Sequence, residues 1–200
     1  MAISLTYFDF DGSRGLECRL ALTVAKLPFE DVRLSREQWA ALKPTTPFGA
    51  LPVLDIDGQK LAQSNAILGY IGRANGLYPA DPWQAAQQEA LLQSVEDIRA
   101  KLPDGKGMTE DEKKAAREAF AAGWLSQWAA TVSAQMAGPF MAGDALSVAD
   151  IKLYVILRSY LSGTYDHIPP STFDRFPKLL ALYAAVAAQP AIHGYFEARK

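Results

Sequence analysis

A single cysteine, Cys18, stands among 200 residues, so no disulfide can form within the chain, and a reducing compartment is expected. No run approaches the roughly 20 apolar residues of a membrane-spanning helix. The N-terminus lacks the charged segment followed by an apolar one that marks a secretory leader. Nor is charge of one sign in excess: 20 Lys and Arg against 22 Asp and Glu leave a net charge of −2. Such a balance offers no basic surplus to nucleic acid or an anionic membrane. Strand-forming runs are missing from Trp83 onward, where alanine dominates. What is present is a chain 50% hydrophobic and 21% charged, long enough to bury a sizeable core as one or two domains. A cytoplasmic globular protein is expected.

Residues 1–76 mix two periodicities. "ISLTYF" reads as a strand, "LECRLALTVAKL" as a helix, "FEDVRL" as a second strand, and "LPVLDIDGQKLAQ" as two strands around an Asp57-Gly58 turn. "SNAILGYIGRANG" reads as a helix with Ser64 as N-cap and Gly76 as its stop. The order β-α-β, then an irregular piece, then β-β-α predicts a small mixed sheet packed by helices. "LYPAD", residues 77–81, is a linker. Beyond it Asp81-Pro82 opens a helix running towards Pro103, and Thr109 with Glu112 forms a capping box ahead of a long alanine-rich helix ended by Gly138-Pro139. Ser147 with Asp150 repeats the cap before "IKLYVILRSYL", and two shorter helices close the chain. The expected fold class is therefore α/β plus all-α, with a helical domain over 82–200.

Several residues could carry chemistry, and each has a structural reading beside the functional one. Pro52 opening a strand belongs at an edge or a bend. X–Pro bonds are mostly trans, but a cis bond here would leave the backbone of Leu51 free to pair with an extended peptide. Ser64 at a helix start can cap it or, with Gln63 just outside, receive an anion. Arg14 opens the first helix, and Lys43 follows Trp39 by one helical turn. Tyr7 ends the first strand, where its hydroxyl could stabilise a thiolate or simply reach water. Cys18 sits amid Leu16, Leu20 and Leu22, where a thiol packs as a small hydrophobe. Spacing alone does not choose between the Tyr7 hydroxyl and the Cys18 thiol.

In combination these segments resemble the soluble glutathione transferases, and most closely their tyrosine-type, sigma-like class. The resemblance rests on "LTYF", "PFE", "PFGALPVLDIDG" leading into "LAQSNAI", "SVEDIRAKL" and "MAGDALSVADIKLY". It covers essentially the whole chain. It implies a thioredoxin-like N-terminal domain with a mixed four-stranded sheet, a helical C-terminal domain, and a two-fold homodimer. Glutathione would be the co-substrate, with no metal. Tyr7 would stabilise its thiolate, and Leu51, before a cis-Pro52, would pair with its cysteinyl backbone. Gln63 and Ser64 would take the γ-glutamyl carboxylate, Trp39 and Lys43 the glycyl end, and Arg14 would be a further glutathione-binding residue. Asp97 would reach the γ-glutamyl ammonium in the neighbouring subunit. Phe8, Arg99, Asp104, Met108, Tyr154 and Arg158 are the candidates for the second-substrate pocket.

Three departures from the family pattern stand out. The loop "FDFDGS" is one residue longer, with Arg14 followed by Gly15-Leu16-Glu17. Ala50 replaces a longer polar residue, and Arg99 and Asp104 stand where apolar groups are common. The expected activity is addition of the glutathione thiolate to small hydrophobic electrophiles, a detoxifying reaction. A glutathione-dependent isomerase or organic-peroxide reductase on the same site is the alternative, and a non-catalytic protein of the same fold is the other. Joint retention of Tyr7, Lys43, Leu51-Pro52, Gln63 and Ser64 argues against the last.

Overall fold

The computed structural model describes residues 1–199. Backbone packing divides them into two compact units, 1–85 together with 188–199, and 86–187. Among the described residues no single helix is long and apolar enough to cross a membrane.

In the first unit β1 (Ile3–Phe8) leads into α1 (Ser13–Val24), β2 (Glu30–Leu34) and the short α2 (Arg36–Leu42). Then come β3 (Val53–Ile56), β4 (Gln59–Ala62) and α3 (Ser64–Ala74). The strands form one sheet in the order β2-β1-β3-β4, with β1 parallel to β2 and antiparallel to β3. Alternation along β1 buries Ile3, Leu5 and Tyr7. The β3–β4 hairpin turns through Asp57 and Gly58, both at positive φ (50° and 87°), as a two-residue hairpin loop requires. The expected stop of α3 is met at Gly76 (φ 70°), where the Leu77 amide donates back to the Gly72 carbonyl at 2.9 Å. One expectation changes. Ser64 is the first residue of α3 rather than its cap, and Gln63 takes the N-cap position with φ 71° and no side-chain cap bond.

The second unit is helical: most of α4 (Pro82–Lys101), then α5 (Glu110–Phe120), α6 (Ser126–Gln135), α7 (Val148–Leu161) and α8 (Pro177–Ala187). Both expected capping boxes form. Thr109 and Glu112 exchange bonds at 2.8 and 3.3 Å, and Asp150 accepts from the Ser147 amide at 2.8 Å and its hydroxyl at 2.6 Å. The expected long helix after Glu112 is interrupted by a wide π-type turn, Ala121–Leu125, and ends at Gln135. The Ser126 hydroxyl donates to the Ala121 carbonyl across that turn at 2.6 Å.

The last helix, α9 (Pro190–Glu197), groups with the first unit although the composition shift had placed all of 82–200 in one domain. The reason is contact between distant parts of the chain: α9 packs on α1, and its Tyr195 hydroxyl donates to Asp11 at 2.6 Å.

Candidate active site

The sheet register gathers the candidate residues of the first unit at one edge. Thr6 pairs with Val53, and Val53 with Ala62, so the residues just outside these pairs are neighbours. They are Tyr7 at the end of β1, Leu51-Pro52 before β3, and Gln63-Ser64 after β4. Because β2 runs parallel to β1, with Phe8 opposite Leu34, it delivers the chain to α2 at this same end. The starts of α1, α2 and α3 therefore all lie there, an arrangement suited to an anionic ligand.

Each element fixes its own contribution. The Leu51-Pro52 bond is cis. Leu51 precedes the first ladder pair, so its amide and carbonyl stand outside the β3–β4 pairing. Gln63 holds a backbone conformation costly for a non-glycine residue, on the order of 1–3 kcal/mol, and such strain collects at ligand sites. Gln63 is exposed, while Ser64 is only 4% exposed. Ser35 caps α2 through a box with Gln38, which orients Trp39. The Trp39 ring meets the Phe8 ring edge-on at 6.1 Å. Lys43 ends α2, exposed, with its stem beside Gly49: a Cβ on Gly49 would lie 3.6 Å from Lys43 Cε. Arg14 is half-buried in the first turn of α1.

Between the end of β1 and the start of α2 lies a cleft of about 710 Å³. Tyr7, Phe8, Asp9 and Phe10 line one side, and Ser35, Arg36 and Trp39 the other. Of the expected site residues it takes in Tyr7, Phe8 and Trp39.

The longer loop after Tyr7 is held by a charge network that the sequence did not disclose. Arg19, fully buried in α1, donates to Asp31 at 2.8 Å and to the carbonyls of Phe10 at 2.8 Å and Phe8 at 3.2 Å. Arg33 on β2 donates to Asp31 and Asp11 at 2.8 Å and to Asp9 at 3.1 Å. Burial opposes ionisation of Asp11, but hydrogen bonds from Tyr195 and Arg33 outweigh it and hold this carboxyl below the ordinary aspartate value. Burial, and then the bond to Asp11, push the Tyr195 hydroxyl up and keep it neutral. The alternation of Asp9 and Asp11 was visible in the sequence, but Tyr195 lies 184 residues from Asp11.

Cys18 is fully buried, consistent with a packing role. The remaining candidates lie in the helical unit. Asp97 is exposed on α4. Arg99 pairs with Glu96 at 2.6 Å, and Glu96 also holds the fully buried Lys152 at 2.6 Å. Asp104 accepts from the Lys106 amide at 2.9 Å in an exposed turn, and Met108 is exposed. Tyr154 is buried and stacked on Tyr183 at 5.0 Å; burial first, then Tyr183, push its hydroxyl up to about 12, against the opposing pull of Arg158. Glu110, Asp166 and His167 bring ligand atoms within 4.8 Å of one another, but Lys113 bridges both carboxylates at 3.0 and 2.5 Å, and Arg117 pairs with Asp166.

Residues 3–73 match the glutathione S-transferase N-terminal domain and residues 96–199 its C-terminal domain. The chain belongs to the glutathione S-transferase family. Among its relatives, glutathione S-transferase 1 of Ascaris suum is 49% identical over 98 residues, 49% of this chain and 47% of that protein. The chain thus spans about half the length of that relative. The hematopoietic prostaglandin D synthase of Gallus gallus is 30% identical over 98% of this chain and 95% of its own. Among solved structures, prostaglandin synthase D of Nilaparvata lugens superposes with a TM-score of 0.87 at 28% identity, covering 100% of this chain and 99% of the other. The glutathione S-transferase of Ascaris lumbricoides gives 0.82 at 30%, covering 100% and 98%. The four-stranded mixed sheet of this transferase-family chain is accordingly the thioredoxin-like one, followed by the family's helical domain.

Proposed function

We propose that this protein conjugates glutathione to small hydrophobic electrophiles in the cytoplasm, and that Tyr7 stabilises the attacking thiolate. One observation carries the reading: the register sets Tyr7 beside Leu51-Pro52 and Gln63-Ser64, at the sheet end where three helices begin.

Glutathione would lie along this edge. The Leu51 backbone would pair with its cysteinyl unit, and Gln63, Ser64 and the start of α3 would receive the γ-glutamyl carboxylate. Trp39 and Lys43 would hold the glycyl end, with Arg14 as a further glutathione-binding residue. The Tyr7 hydroxyl donates to the thiolate sulfur and keeps its own proton, so the thiol proton leaves to solvent. The sulfur then attacks the electrophilic carbon: a C–S bond forms and the leaving group departs with its electron pair, or, in an addition, the proton returns to the adduct. Lowering the thiol pKa by two units corresponds to about 2.7 kcal/mol, within reach of a hydrogen bond to an anion plus a helix dipole.

The protein would act as a homodimer in which Asp97 reaches the neighbouring subunit's glutathione. Phe48 (81% exposed), Trp83 (73%) and Tyr70 (48%) in the first unit supply apolar surface such an interface would cover. Phe8, Arg99, Asp104, Met108, Tyr154 and Arg158 remain the proposed second-substrate residues. Phe8 is supported by its place in the cleft, whereas Arg99 and Tyr154 already have partners within the helical unit. A second reading, a glutathione-dependent isomerase on the same site, draws support from the likeness to the Gallus gallus synthase.

Turnover of an aryl halide with glutathione, compared with formation of prostaglandin D, separates the two. Loss of conjugation in Tyr7→Phe with retention in Cys18→Ala supports the tyrosine mechanism; the reverse pattern points to a cysteine mechanism. No glutathione binding at millimolar concentration leaves a non-catalytic protein.

A further inference from the structure

Gly15 sits in the first turn of α1 and is buried. A Cβ built on it would stand 2.0 Å from Cδ1, 2.4 Å from Cγ and 2.6 Å from Cε1 of Tyr7. Packed carbon atoms do not approach this closely, and the opposing atoms belong to a rigid ring. Any side chain at position 15 must therefore displace the ring or the helix.

The ring is confined on its other sides. Phe8 meets it edge-on at 5.5 Å and Phe10 lies tilted at 5.6 Å. The Arg19 guanidinium is 5.8 Å from its centroid, and that group is itself tied to Asp31 and to the carbonyls of Phe8 and Phe10. Backbone conformation does not call for glycine, because Gly15 is not among the positive-φ residues. Within a helix alanine is the better former. Propensity and packing thus oppose each other at this position, and the residue present is the one packing requires.

We infer that Gly15 is a positioning residue for Tyr7: the bare backbone of α1 is the surface on which the tyrosine ring rests, and it sets where the hydroxyl meets the thiolate. The catalytic half of this inference rests on the reading of Tyr7 given above. It also gives the departure "RGLE" a physical role, since the residue after Arg14 decides how near the helix comes to the tyrosine.

Gly15→Ala is expected to lower kcat about tenfold or more and raise the bound glutathione thiol pKa by about one unit, with KM for glutathione little changed. In a Tyr7→Phe background the alanine should cause no further rise in thiol pKa. Thermal melting reads the contact without glutathione: Gly15→Ala should lower Tm in the wild-type chain but not in Tyr7→Ala, where the ring is gone. Gly194→Ala is the control, because nothing lies within 4 Å of a Cβ there in α9. If Gly15→Ala alone does not fold, the Gly15→Ala, Tyr7→Ala pair should, and failure of both overturns the inference. So does wild-type kcat and thiol pKa in Gly15→Ala, or an equal loss of Tm with and without the Tyr7 ring. Full activity in Tyr7→Phe overturns the thiolate reading and the catalytic role of Gly15 with it, an outcome distinct from failure of the packing, which the melting series reports by itself.

Discussion

Polar side chains in the two compact units answer to different demands. In the first unit they crowd the end of the sheet where β1 and β2 stop: Gln63 at a strained φ of 71°, Ser64 buried at a helix start, and Asp9 and Asp11 drawn onto Arg33. In the helical unit the notable polar groups close local accounts. Ser147 and Asp150 cap α7, and Glu96 accepts from both Arg99 and Lys152. The contrast teaches that burial of charge does not itself mark a site. Convergence of strained or helix-starting residues on one sheet edge is the better sign.

The contrast can be broken in four places. The largest effect is expected for Glu96→Ala, which removes a charged hydrogen bond from the fully buried Lys152 and should lower the unfolding free energy by about 1.5–3 kcal/mol in urea titration, with glutathione affinity unchanged. Weaker glutathione binding with normal stability would instead move this cluster into the site. Gln63→Gly should do the opposite. It relieves the positive-φ backbone, leaving stability equal or up to about 1 kcal/mol higher, while calorimetry should find glutathione bound roughly tenfold more weakly. Ser147→Ala should cost about 1 kcal/mol of stability through the lost cap, with no change in the thiol pKa.

Asp11→Asn is the mildest of the four. The folded carboxyl titrates below its unfolded value near 3.8, so its contribution is present above that pH and is lost as pH falls through the folded value. The substitution should lower stability at neutral pH by less than about 1 kcal/mol, and should flatten the acid limb below about pH 4 in denaturation curves. An unchanged acid limb would mean the network does not hold the loop.

Much of the fold could be read from the chain because its signals are local. Period-two alternation marked β1, Asp57-Gly58 marked the hairpin, and two acidic boxes marked the starts of α5 and α7. Two elements departed from what the local signals imply. The wide turn at Ala121–Leu125 interrupts a run of good helix formers, and α9 joins the first unit through contacts with α1 and Asp11. The candidate site was legible as an ordered set of weak signals rather than as any one residue. What remained hidden was the closeness of Gly15 to the Tyr7 ring and the Arg33 network, since both depend on how a loop returns across the sheet.

The central claim is that Tyr7 sets the protonation of the glutathione sulfur. Its most direct test is ultraviolet titration of thiolate absorbance in the binary complexes of wild type and Tyr7→Phe. The account predicts a bound thiol pKa about two units below the ordinary thiol value of about 8.5, returning towards it in Tyr7→Phe. Equal thiol pKa values in the two complexes would contradict it.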